Sequence, residues 1–119
     1  MRDTPAAVVK RQFDTYNRQD IDAYMDCFSP DIEMFVFGQA APFLSGSEAV
    51  RAFYRNKRFN IPGLQAELLN EIVLGDMVVY LEKLVGLTPD REGVTAIAVH
   101  QVADGRIRRM WFIRPSPAA

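Results

Sequence analysis

Cysteine and histidine are nearly absent from this sequence: Cys27 and His100 are the only ones in 119 residues. A lone cysteine closes no internal disulfide, so packing has to hold the fold, and a reducing, cytoplasmic setting is the simpler expectation. One thiol and one imidazole cannot supply the Cys and His ligands of a structural zinc site. An excess of charge is missing too. Fourteen Lys and Arg stand against fifteen Asp and Glu, a formal charge of −1. The basic residues form no stripe, which argues against nucleic acid as a partner. No apolar run approaches the roughly 20 residues of a membrane span. The first residues show no signal-peptide pattern, and no glycine-rich loop is spaced to cradle a phosphate.

What is present suffices for one core. Hydrophobic residues make up 49% of a length typical of a single domain. Residues 1–119 read as one domain, with 114–119 as a loose tail. Thr4 before Pro5 is an N-cap followed by proline at the first helical position, and Ala6, Val9, Phe13 and Tyr16 then recur at helical spacing up to Asn17. Asp20 can cap a second, shorter helix with Ile21, Tyr24, Met25 and Phe28 on its apolar face, stopped by Pro30. Residues 31–37 read as a strand and 38–45 as a loop. Ser45 to Glu48 matches a capping box for a third helix over residues 46–57 that buries Ala49, Val50, Phe53 and Tyr54. Four strands then follow at 64–74, 77–86, 94–103 and 106–113, with Asp104-Gly105 suited to a type I′ turn. Three helices followed by sequential antiparallel strands give an α+β fold, with helices on one face of a curved sheet.

Tyr16-Asn17-Arg18-Gln19-Asp20-Ile21-Asp22-Ala23-Tyr24 and Phe28-Ser29-Pro30-Asp31-Ile32-Glu33 resemble the first helical hairpin and strand of SnoaL-like domains of the nuclear transport factor 2-like superfamily. Gly46-Ser47-Glu48-Ala49-Val50 with Phe53-Tyr54, Gly75-Asp76-Met77-Val78-Val79 and Asp104-Gly105-Arg106-Ile107 continue the likeness over nearly the whole chain. The resemblance implies a cone: a curved antiparallel sheet with three helices packed on its concave face and a pocket open at one end. It is poor in functional detail, because the superfamily holds isomerases, cyclases, epoxide hydrolases, dehydratases and non-catalytic binding domains. The base of its steroid isomerases falls at Val36, their protonated acid at Ala98 and their tyrosine at Gln12 or Phe13, so those roles are vacant. Its epoxide hydrolases place an Arg-x-Asp pair at Lys83 and Val85 and a second aspartate at Phe112, which again leaves no acid–base relay. The cyclase proton shuttle leaves His100 as the imidazole available.

His100 shares a strand face with Val94, Ala96, Ala98 and Val102. It either moves a proton beside the space that the two alanines leave, or bonds a backbone carbonyl in the core. The two enzyme likenesses turn Lys83 inward, where its ammonium could bind a ligand oxygen. With the opposite parity Lys83 meets solvent, and Glu82 with Tyr80 faces the pocket. Tyr16 and Tyr54 lie on buried helix faces, and Tyr16 is the one we expect to offer its hydroxyl to a ligand. Met34, Phe53, Met110 and Phe112 either fill the cone or line it, with Val36 and Ala98 on the same wall. Glu33, Asp14 and Asp26 read as solvated or ion-paired surface acids.

The expected function is binding of a small hydrophobic, oxygenated molecule, with isomerase- or cyclase-like proton transfer that needs no metal or organic cofactor. The alternative is a non-catalytic binding module. Trp111 and Ile113 make the last strand apolar on its second face, which predicts a homodimer through the outer sheet face, with Val78, Tyr80 and Leu84 contributing.

Overall fold

The computed structural model describes residues 3–87 and 93–115. Helix α1, Pro5–Asn17, begins as its sequence dictates: the Thr4 hydroxyl accepts the Ala7 amide at 3.1 Å, and Pro5 occupies the first turn. Its Val8, Val9, Phe13 and Tyr16 are buried. Helix α2, Ile21–Met25, is capped by Asp20, which accepts the Ala23 amide at 3.2 Å. Helix α3 spans Ser47–Lys57. The strands are β1 (Phe28–Val36), β2 (Leu44–Ser45), β3 (Gln65–Leu74), β4 (Met77–Val85), β5 (Val94–Ala103) and β6 (Arg106–Ile113). They form one curved, unclosed sheet in the order β2-β1-β6-β5-β4-β3. Every neighbouring pair is antiparallel except β1 with β6, which run parallel.

Three local expectations are corrected. Phe28 does not extend the second helix but opens β1, and Pro30 sits inside that strand. The register shifts between Phe28 and Glu33, so the proline's missing N–H falls where the β1–β6 ladder is interrupted. The capping box is not formed. Ser45 is drawn into β2, paired with Glu33, and the helix N-cap is Gly46 at φ +89° with no side-chain cap, a conformation that serine adopts only with strain. The third correction concerns Arg114, assigned to the loose tail, which lines the mouth of the interior cavity. Residues 116–119 of that tail lie outside the described residues, as does most of the connection between β4 and β5. Asp104 and Gly105 have φ of +54° and +77°, as a type I′ turn requires.

Cross-strand pairing sets which side chains enter the cone. Tyr80 pairs with Ala98 and Glu82 with Ala96, so even-numbered residues of β4 and β5 share the concave face. On β6, Met110 and Phe112 join that face while Trp111 is on the other, stacked on Phe35 with ring centroids 5.8 Å apart. The closed end of the cone is filled by Val78, Tyr80, His100, Ile107 and Val102. Under the helices, Tyr24 is the centre of an aromatic cluster, with ring centroids 4.9 to 5.9 Å from Tyr54, Phe28, Phe59 and Tyr16. Asn17 ties α1 to the sheet: its side-chain oxygen accepts the Ala66 amide at 2.7 Å and its nitrogen donates to the Ala66 carbonyl at 3.0 Å. Among the described residues no helix is long and apolar enough to cross a membrane.

Candidate functional site

The helices do not fill the cone. An interior cavity of about 70 Å³ remains between Gln12, Phe13 and Tyr16 of α1, Tyr24 of α2 and Tyr54 of α3 on one side, and Ala66, Glu82, Leu84, Ala96, Ala98 and Met110 of the sheet on the other. That is room for several water molecules, at roughly 10–15 Å³ of such space for each. The cavity opens past Phe43, Phe53, Arg58, Phe112 and Arg114, residues it shares with an outer vestibule of about 380 Å³ that also includes Val36 and Lys57. Leu87 and Val94 also line the cavity.

Among the described residues, Glu82 is the carboxylate on the cavity wall. It sits between Tyr80 and Leu84 on β4, opposite Ala96, and has no hydrogen-bond or ion-pair partner among the described residues. Burial alone pushes its carboxyl up to about 7, from an ordinary 4.5. A carboxyl in this state titrates within reach of neutral pH, which suits a group that both takes and returns a proton. The hydroxyls of Tyr16 and Tyr54 lie close enough to feel its charge, and burial drives both phenols well up, so they stay protonated donors. Tyr54 donates weakly to the Met34 sulfur at 3.9 Å. The Tyr16 hydroxyl makes no hydrogen bond to another described residue, which leaves its O–H for a ligand oxygen.

The residues singled out from sequence divide into two groups. Tyr16, Phe53, Tyr54, Ala98, Met110 and Phe112 line the cavity, and Val36 lines the vestibule. Met34 is fully buried behind Tyr54, and His100 and Lys83 line neither space. His100 is wholly buried at the closed end of the cone, its Nδ1–H donating to the Val78 carbonyl at 2.9 Å, with Nε2 unpartnered. Burial pushes its imidazole down to about 4, so it is neutral at physiological pH. Lys83 stands on the convex face, paired across the ladders with Thr95 and Glu67. The ungapped placement that turned it inward is one residue out of register, and a one-residue slip exchanges the faces of a strand. The same slip corrects the outer surface. Val78 and Tyr80 are fully buried in the cone and Leu84 lines the cavity, so none of the three is on the convex side.

The family model of the SnoaL-like domain matches residues 9–110 of this sequence. The chain belongs to the SnoaL-like family. No curated protein matches it in sequence. Among solved structures, this SnoaL-like domain is similar to an uncharacterised cystatin-fold protein from Novosphingobium aromaticivorans, at 21% identity over 94% of this chain and 99% of the other, with a TM-score of 0.84. A candidate polyketide cyclase from Sinorhizobium meliloti shares 26% identity over 89% of this chain and 93% of its own, with a TM-score of 0.75. A candidate ketosteroid isomerase from Kribbella flavida matches at 17% identity over 97% of this chain and 80% of its own, TM-score 0.80. The nuclear transport factor 2-like, cystatin-type fold is thereby established for this chain. Gln12, Phe13 and Ala98, where the resemblance puts the tyrosine and acid of the steroid isomerases, do line the cavity, but none of them ionises. The carboxyl on the cavity wall of this SnoaL-like domain stands elsewhere, at Glu82.

Sequence reasoning named Glu82 only as the consequence of the opposite strand parity, and did not select Phe43, Arg58 or Arg114. The signal that finds Glu82 is pairwise: once Ala96 and Ala98 face inward, antiparallel pairing carries Glu82 and Tyr80 to the same face.

Proposed function

We propose that this domain binds a small hydrophobic, oxygenated molecule in the cone and moves a proton on it, with Glu82 as the acid–base group. The observation that carries this reading is an unpartnered carboxyl, titrating near neutral pH because of burial, on the wall of a largely apolar and aromatic cavity. Such a cavity desolvates a ligand's apolar body, and a few convergent polar groups orient it. Ionised Glu82 takes a proton from carbon next to a carbonyl, Tyr16 donates to the oxygen on which charge develops, and protonated Glu82 returns the proton at carbon. The candidate cyclase and isomerase of the same fold support this class of reaction. His100 is assigned a structural role, holding β4 through the Val78 carbonyl.

Phenylacetone tests the proposal, because its benzylic protons exchange with deuterated solvent when a base removes them. The protein should accelerate exchange, and Glu82→Gln should abolish the acceleration. Equal rates with and without protein, or in wild type and variant, would refute it.

A second reading concerns assembly and is compatible with the first. The convex face carries Ile72, Val79, Leu81, Val99, Trp111 and Phe35, and Leu74 at the end of edge strand β3 is 78% exposed. We infer a homodimer that covers this face. Trp111→Glu should convert it to monomer in light scattering, and a wild type that is monomeric at about 50 µM, well above the working range of stable dimers, would refute it.

A further inference from the structure

The mouth of the cone differs from its interior in charge. Lys57, Arg58 and Arg114 line the vestibule with Val36, Phe43, Phe53 and Phe112, and among the described residues no acidic one lines it. Five cations elsewhere are matched, Lys10 with Asp14, Arg11 with Asp3, Arg51 with Asp22, Arg108 with Asp31 and Arg109 with Glu33, while Arg18, Arg55, Lys83 and Arg106 show no ion pair among the described residues but line neither the cavity nor the vestibule. None of the three mouth cations has an ion-pair partner among the described residues. Placement at the C-terminus of α3 would account for Lys57 and Arg58 through the helix dipole. It does not account for Arg114, which comes from the opposite wall, just beyond β6. Arg58 is also held in place. Its guanidinium lies 5.1 Å from the centroid of the Phe53 ring, and one nitrogen donates to the Lys57 carbonyl at 2.8 Å, leaving further N–H groups free.

We propose that the ligand is a carboxylic acid whose apolar ring enters the cavity and whose carboxylate is held at the mouth by Arg58 and Arg114. This rests on the reading of the cone as a ligand site and adds the ligand's charge. A guanidinium fork matches a carboxylate in two parallel hydrogen bonds; Arg58 is half-buried against the Phe53 ring and Arg114 is exposed at the rim. Glu82 lines the cavity but not the vestibule, whereas Arg58 and Arg114 line both, so a ligand could present a reactive carbon inside and an anion at the mouth.

The test is calorimetric titration of phenylacetate, naphthylacetate and their methyl esters, at about pH 6 where these acids are ionised and Glu82 is mostly neutral. The acids should bind at least about tenfold more tightly than the esters, and added salt should weaken the acids alone. Arg58→Gln and Arg114→Gln should each bring the acids to the affinity of the esters without changing the esters, and Arg58→Lys should retain part of the preference. Both positions are at the surface end of the cone, and an unchanged melting temperature confirms that the variants fold. Acids and esters that bind alike, or arginine variants that weaken both equally, overturn the carboxylate assignment while leaving a ligand site in place. Failure of acids, esters and phenylacetone alike to bind removes the ligand site itself, and this inference with it.

Discussion

The two ends of the β4–β5 pair each hold a titratable group shifted by burial, and they differ in what surrounds them. At the closed end His100 is fully buried against the Val78 carbonyl and is pushed down to about 4. At the open end Glu82 faces a cavity, has no partner, and is pushed up to about 7. Desolvation is the leading cause in both, and in both it favours the neutral form. A shifted pKa therefore marks burial, and only the adjoining space distinguishes a group that can meet a ligand from one that holds two strands together.

The largest effect that would sharpen this contrast is on proton transfer. Glu82→Gln should lower the rate of phenylacetone deuterium exchange by roughly 100-fold or more, the usual share of a positioned general base, while His100→Gln should leave it within about twofold. The reverse ranking would transfer the chemistry to the closed end. A smaller effect is expected from filling the open end: Ala96→Leu directs three more carbons into the cavity beside Glu82 and should weaken phenylacetone binding by about tenfold, with stability changed by less than about 1.5 kcal/mol. If binding is unaffected, the ligand occupies only the vestibule.

The smallest effect is on the pH dependence of stability. Glu82 has a folded pKa above its ordinary 4.5, so the native state holds the proton more tightly and stability falls as pH rises from about 4.5 through about 7. For His100, with a folded pKa below 6.5, stability is complete above that value and is lost as pH falls through about 4. Glu82→Gln should remove only the first of these losses, gaining about 1–2 kcal/mol over wild type above pH 8, roughly half of what the full shift implies because the cavity is open to solvent, and nothing at pH 4. Chemical denaturation at the two pH values measures the difference, and a gain of equal size at both would show that Glu82 acts through packing instead of charge.

How much of this was legible in the sequence follows from the period of each element. The Thr4-Pro5 start, the Asp20 cap, the Asp104-Gly105 turn and the inward Ala96, Ala98, Met110 and Phe112 rest on local chemistry or on strands with one distinctly small or aromatic face. Strand β4 has no such contrast. Both of its faces carry apolar residues and one charged residue, Glu82 or Lys83, so its parity is decided by pairing with β5 across a long connection. The capping box failed for a related reason: Ser45 had a competing partner in Glu33 of β1, more than ten residues away. Arg58 and Arg114 were illegible because the vestibule forms from segments that meet only in the folded chain.

The pH profile of phenylacetone exchange tests the central claim most directly. If Glu82 is the base, the rate rises with pH and levels off with an inflection near 7, and the Glu82→Gln profile is flat at the level of solvent. A profile with no inflection between about 6 and 8, or one that survives Glu82→Gln, would contradict the assignment of acid–base chemistry to this carboxyl.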